Sequence, residues 1–233
     1  MGNSTSNFRI PITFSTDKNS LKRSSSIISS FAHIEKESIS LKYEDEKYYL
    51  DFRYSARVRS TIQIFLCAHH SEFCNIQPDI PIIALTIQEG MSQCFPSDVS
   101  TLSLSEYGEE ELTKYSSSYT PLIIQIIPFS SNQQIQQLHT SYLSFVKENG
   151  RFSVKLLRQH LKIGYEVYEL VEIYGNYLGE KCSVCLSSKR DTLVFPCKHL
   201  CLCSRCAVNL KMQAVRKCPI CRTPLESFLK ISK

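Results

Sequence analysis

Glycine is scarce in this sequence, with seven in 233 residues. No glycine-rich phosphate loop and no nucleophile elbow can be found among them, so the chemistries built on those loops have little material here. Long apolar runs are missing too. No stretch reaches the about 18 apolar residues that a membrane-spanning helix needs, and no apolar signal segment stands at the start of the chain. The expected compartment is therefore reducing and cytoplasmic. A stripe of interleaved basic and aromatic residues, which would stack bases, is also lacking, so no nucleic-acid partner is expected.

Charge is present but unevenly placed. The whole chain carries a net +5. Residues 180–233 hold 11 Lys and Arg against 3 Asp and Glu, a net +8, whereas residues 1–179 hold 16 against 19. Cysteine is just as uneven. Of eleven cysteines, eight lie between Cys182 and Cys221. Cys67, Cys74 and Cys94 are scattered. The run Cys67-Ala68-His69-His70 with Cys74 contains metal donors but lacks a second two-residue knuckle, so it is not assigned as a site.

The C-terminal cysteines fall in pairs. They run Cys182-x2-Cys185, eleven residues, Cys197-x-His199, three residues, Cys203-x2-Cys206, eleven residues, Cys218-x2-Cys221. Two donors separated by two residues sit on a tight turn that aims both at one point. Thiolate and imidazole are donors zinc prefers, and a closed structural site takes four, so eight donors imply two zinc ions. A module of this size cannot fold on its apolar core alone, and zinc binding worth roughly 10–16 kcal/mol decides whether it folds. Spacing alone leaves open whether neighbouring or interleaved pairs share an ion. Cys201 is a rival donor, but Cys203-x2-Cys206 completes a knuckle and Cys201 does not, so Cys201 is expected to pack as a small hydrophobe.

The chain opens Met1-Gly2-Asn3-Ser4-Thr5-Ser6, which matches the N-myristoylation pattern with Gly2 as the acylated residue. One such chain anchors only marginally, so Arg9, Lys18, Lys22 and Arg23 are the expected second, electrostatic signal for a membrane surface. Residues 1–19 are thus a flexible arm and the protein is expected at the membrane periphery. Residues 20–163 hold seven or eight short candidate strands separated by polar breaks, among them the alternating runs Ser38–Tyr43, Tyr48–Tyr54 and Val58–Ala68 and the buried-looking Leu122–Ile127, which predicts an antiparallel sandwich-like domain. Ile135–Val146 suits strand or helix. Val167, Leu170, Val171 and Tyr174 fall at three-and-four spacing, which predicts a helix and linker over 164–179. The metal module and tail then occupy 180–233. The fold class is α+β: a β-rich domain, a helix, and a two-zinc module.

The order of seven cysteines and one histidine is similar to a RING finger. The segments Arg190-Asp191-Thr192-Leu193, Pro196–Cys203 and Cys218-Pro219-Ile220-Cys221-Arg222, with Phe152–Lys155, Glu172–Gly175 and Ala56-Arg57-Val58 upstream, resemble the mahogunin-like family of RING-type E3 ubiquitin ligases. That resemblance implies interleaved sharing: Cys182, Cys185, Cys203 and Cys206 on one zinc, and Cys197, His199, Cys218 and Cys221 on the other. It implies binding of a ubiquitin-charged E2 conjugating enzyme and direct transfer of ubiquitin to a substrate lysine. It implies that Val184, Leu210 and Pro219 touch the E2, and that Arg222 bridges E2 and ubiquitin. The β-rich domain is expected to recognise the protein substrate. The alternative is a non-catalytic zinc-binding scaffold. The apolar tail, Leu225, Phe228, Leu229 and Ile231, is expected to pack on the RING or pair two RINGs as a dimer.

Overall fold

The computed structural model describes residues 10–12, 30–72, 74–78, 80–129, 136–171, 180–213 and 216–230. In chain order the elements are β1 (Ile10–Ile12), β2 (Ala32–Ile34), β3 (Ser40–Glu44), β4 (Lys47–Asp51), β5 (Arg53–Ala56), β6 (Ser60–His70), β7 (Ile76–Gln77), β8 (Ile83–Ile87), β9 (Gly90–Cys94) and β10 (Thr101–Leu102). A short helix α1 (Glu109–Thr113) follows, then β11 (Tyr119–Pro128), β12 (Gln137–Glu148), β13 (Arg151–Ile163) and β14 (Glu166–Val171). The last part holds β15 (Thr192–Phe195), β16 (His199–Leu202), α2 (Ser204–Lys211) and β17 (Ser227–Lys230). The chain divides into two compact units: residues 30–168, and residues 1–29 with 169–233.

Residues 30–168 form an antiparallel β unit. In its large sheet, β13, β12, β11 and β6 are successive neighbours, and β7 and β8 both pair with β6. Two three-stranded sheets, β10-β4-β3 and β2-β5-β9, accompany it. One apolar core joins all three: Ile62, Ile64, Leu122, Ile124, Leu143 and Phe145 come from the large sheet, and Ile34, Leu50 and Tyr54 from the small ones. Phe52 and Phe95 stack within it, their centroids 4.6 Å apart. Two-residue turns set the registers. Asp45 and Glu46 join β3 to β4, and Asn149 and Gly150 join β12 to β13, all four at positive φ. That backbone matches the twist of paired strands, and Asn-Gly adopts it at low cost. The turn resolves the ambiguous stretch before it, and Gln137–Glu148 is strand.

The segment expected to be helical over 164–179 requires correction. Glu166–Val171 is strand β14. Gly164, at φ 57°, and Tyr165 form a two-residue turn after β13, which sends the chain back as a hairpin. Val167, Tyr168 and Val171 are β-branched or aromatic, residues that favour a pleated strand over a helix. Residues 172–179 lie outside the described set. In the unit that contains the end of β14, Glu169–Val171 pairs antiparallel with β1, so part of the N-terminal arm is strand. Gly2 lies outside the described residues. No helix among the described residues is long and apolar enough to cross a membrane.

Phe145 is 1% exposed in the main core and Phe129 is 55% exposed. Phe145→Ala is expected to destabilise the β unit by about 3–5 kcal/mol, and Phe129→Ala by about 0.5 kcal/mol or less. Urea unfolding followed by circular dichroism checks both.

Candidate metal centre

The C-terminal module builds its donor groups from three kinds of turn. The first and last knuckles share one design. Leu186 N–H donates to the Cys182 carbonyl at 2.9 Å, and Arg222 N–H donates to the Cys218 carbonyl at 2.9 Å. Leu186 and Arg222 both sit at positive φ, 55° and 60°. Each closes a one-turn loop that brings both cysteines of its pair into one donor group. Two residues past each second cysteine stands a hydroxyl, Ser187 and Thr223. Hydrogen bonding from the Ser187 hydroxyl, then from the Ser188 and Ser187 N–H groups, holds the Cys185 thiol down to about 5. The Thr223 hydroxyl, 3.1 Å away, and then its N–H hold Cys221 down to about 6. This cysteine-x-hydroxyl repeat was readable in the sequence and is part of the site.

The middle donors come from regular structure. Cys197 and His199 flank Lys198, at φ 58°, whose N–H donates to the Val194 carbonyl at 2.7 Å. Strand β16 starts at His199 and pairs with β15, with Leu193 opposite Leu200 and Val194 opposite His199. Cys203 is the N-cap of α2 and Cys206 lies in the first turn, so the helix sets their spacing. Asp191 anchors that helix start. Its carboxylate accepts from Thr192 Oγ1 at 2.7 Å and from Ser204 Oγ at 2.8 Å. β17 closes the other side of β15, with Leu229 opposite Leu193.

These turns gather eight donors into two groups. Cys182, Cys185, Cys203 and Cys206 form one, and Cys197, His199, Cys218 and Cys221 form the other, with the donor atoms of each group within 4.8 Å of one another. Four sulfurs around zinc at about 2.3 Å stand about 3.8 Å apart. Cys185 Sγ and Cys203 Sγ are 3.9 Å apart, which fits a tetrahedral edge and is far beyond a disulfide. The electrostatics point the same way. Cys206 is pushed up to about 12, first by hydrogen bonding with the Cys203 sulfur. Cys197 is pushed up to about 12, first by burial and then against the neighbouring sulfurs. Neither group can carry its full set of thiolates without a cation, and a divalent ion supplies it. The donor chemistry and geometry fit two zinc ions in a cross-brace. Cys201 belongs to neither group. It is 1% exposed in the module core, and burial pushes its thiol up to about 12.

The other sequence-picked residues are placed as follows. Val184 is 51% exposed, and Pro219 and Arg222 are exposed at the last knuckle. Leu210 is half-buried and packs against the module core. Val208 on α2 and Met212 at its C-cap are exposed apolar side chains, as are Leu186 and Ile220. Of the tail, Leu229 is buried while Leu225 and Phe228 pack on the module core; Ile231 lies outside the described residues. The donors around Cys67 do not converge. His69 stacks on Tyr119, His70 stacks on Tyr142, and the Cys67 thiol approaches the Glu111 carbonyl.

An interleaved two-zinc module with this order of donors defines a RING-finger protein. Residues 178–228 match the family description "Zinc finger, C3HC4 type (RING finger)", and residues 32–170 match "RNF157-like N-terminal domain". The chain belongs to the RNF157-like RING-finger family, the family of the mahogunin-like resemblance. It is 32% identical over 205 residues to "Probable E3 ubiquitin-protein ligase LUL1" of Arabidopsis thaliana, covering 79% of this chain and 59% of that protein. It is 30% identical over 232 residues to "Probable E3 ubiquitin-protein ligase LOG2" of the same plant, covering 85% and 60%. It is 32% identical over 211 residues to human "E3 ubiquitin-protein ligase MGRN1", covering 79% and 38%. The chain thus spans about three fifths or less of the length of these relatives. No solved structure matches it.

Elemental analysis of the folded chain is expected to give two zinc ions per molecule. Cys203→Ser is expected to lower that ratio and loosen the module, because thiolate ligation and folding are coupled. Cys201→Ala is expected to keep both ions.

Proposed function

We propose that this protein is a RING-type E3 ubiquitin ligase that binds a ubiquitin-charged E2 and promotes direct transfer of ubiquitin to a substrate lysine. The observation that carries the reading is the pair of interleaved donor groups, whose first and last knuckles each carry an exposed apolar residue. They project Val184 and Pro219 outward, with Arg222 directly after the last donor. Val184, Pro219 and the neighbouring Ile220 are the apolar contact we assign to the E2. Exposed apolar side chains held on a rigid frame are what a docking surface requires. We keep Leu210 in that set through its place on α2, where exposed Val208, with Met212 at the C-cap, extends the surface. The names of the relatives support the same activity.

The module makes no covalent bond to ubiquitin in this reading. Its work is to hold a thioester made elsewhere in a reactive pose, so rate comes from orientation and fixed charge. Arg222 is the residue we assign to that hold. Its guanidinium is planar and always charged, and it can donate to a carbonyl on each partner at once. The cysteine just before it is a donor of the second group and its own N–H is tied to Cys218, so its backbone is fixed before any partner arrives.

The β unit is the part we assign to substrate recognition. Gly2 is assigned to myristoylation and, with the basic residues after it, to a peripheral place at the cytoplasmic membrane surface. The tail strand β17 is assigned to capping its own RING, because Leu229 is already buried against β15; a RING dimer would therefore use other residues.

Arg222→Ala is expected to slow discharge of ubiquitin from a charged E2 to free lysine by about tenfold or more. Alanine keeps the same Cβ at φ 60°, so the change isolates the guanidinium. Val184→Asp is expected to abolish discharge while both zinc ions remain. Wild-type protein that stimulates no discharge across a broad E2 panel, with both zinc ions present, leaves the scaffold reading in its place.

A further inference from the structure

The β unit carries a second cluster on the face of its large sheet opposite the main core. Phe65, Ala68, Ile76, Ile123 and Tyr142 form its apolar floor. Two local irregularities create it. In β6, Leu66 packs in the main core whereas Ala68 lies in the second cluster, and between them Cys67 takes φ 50°. In β13, the register passes from Leu143 opposite Leu156 to Tyr142 opposite Arg158, so Leu157 is an extra residue. Leu156 packs against the main core. Strict alternation would aim Arg158 at that same apolar face, and the bulge turns it to the other.

There the Arg158 guanidinium lies over the Tyr142 ring, 4.8 Å from its centroid. His70 and His160 stand against the same ring, at centroid distances of 4.7 and 5.1 Å. Cys74 Sγ is 4.0 Å from His160 Nδ1. Arg158 has no ion pair and no hydrogen-bond acceptor among the described residues, and its Nε is buried without a partner. The residue as a whole is half-buried, so the outer edge of the fork opens to solvent.

The surroundings are of one sign. Burial, then the Arg158 charge, pushes His160 down to about 4, and the same two causes lower His70. Lys162 and Arg158 both act on Cys74, whose thiol burial pushes up. No carboxylate is among the charges acting on His70, Cys74, Tyr142 or His160. A guanidinium desolvated at Nε, with two imidazoles held neutral beside it and Lys162 as the other nearby charge, costs free energy that stacking on Tyr142 offsets only in part. An anion at the open edge of the fork completes the site.

We propose that Arg158 is the centre of an anion-binding site that takes a carboxylate or phosphate group carried on an extended segment of the protein substrate. The fork geometry suits either group, because both accept two parallel N–H bonds. The link to a substrate rests on the reading of the β unit given above. The anion site itself does not.

The test uses the full zinc-loaded chain and two probes, inorganic phosphate and acetate, each titrated at constant ionic strength against chloride. The imidazole NMR signals of His70 and His160 report binding. A saturable shift with at least one probe is expected. Arg158→Gln is expected to weaken it about tenfold or more through loss of the charged fork. Arg158→Lys, which keeps the charge and loses the fork, is expected to fall between the two, and it decides the matter should Arg158→Gln not fold. Arg151→Gln, an exposed change on the same strand, is expected to leave it within about twofold. Phosphate binding alone assigns a phosphorylated segment, and acetate binding assigns an acidic one. No saturation with either probe, or equal affinity in the Arg158 variants and wild type, overturns the site. Discharge of charged E2 to free lysine is measured on the same samples. Arg158→Gln leaves it unchanged, and wild-type protein that binds anion without stimulating discharge removes the ligase reading and keeps the site.

Discussion

Seven thiols in two tight groups repel one another as soon as they ionise, and that repulsion is what the C-terminal module is organised to relieve. The knuckle turns, the capping cysteine of α2 and the start of β16 all serve to bring donors to two points. The small sheet and the single helix are too slight to hold those points by burial alone. A divalent cation at each turns the repulsion into the strongest attraction in the module. Because the donor pairs interleave along the chain, each ion ties residues that the other ion's ligands separate. The two sites therefore stand or fall together.

The β unit is held by the opposite means. Its core is a continuous apolar layer between one large sheet and two small ones, with no metal donor group among its described residues. The contrast has a bearing on surface chemistry. A module braced by metal does not need every apolar side chain inside, so Val184, Leu186, Ile220 and Met212 can face outward without loss of the fold. A module held by burial has less freedom of that kind. Its polar work is done where irregular backbone brings charged side chains out of the core, as at Arg158.

The sequence was most legible where chemistry fixes spacing. The eight donors follow from knuckle geometry, and only the sharing pattern needed a family resemblance. Strand β6 was legible from the alternation of its first half, and β11 from a near-continuous apolar run. Glu166–Val171 was not, because Val167, Leu170 and Val171 satisfy helical spacing as well as they satisfy a strand. The signal that separates the two was local: Gly164-Tyr165 immediately after a long strand is a two-residue turn. Asn149-Gly150 carried the same message for β12. The cluster around Tyr142 was illegible in principle, since alternation counted along β13 assigns Arg158 to the wrong face. A bulge appears in no periodicity.

The extra residue at Leu157 also bears on how this family can drift. Upstream of it β13 presents Val154 and Leu156 to the core, and downstream it presents Gln159 and Leu161 on that side. Lose Leu157 and Leu156 is followed directly by Arg158, so plain alternation still places Leu156 inward and Arg158 opposite Tyr142. A loss of one residue is therefore absorbed at the bulge, whereas a loss far from it moves every later side chain to the other face. The bulge is thus a place where β13 can shorten by a residue and keep both of its faces.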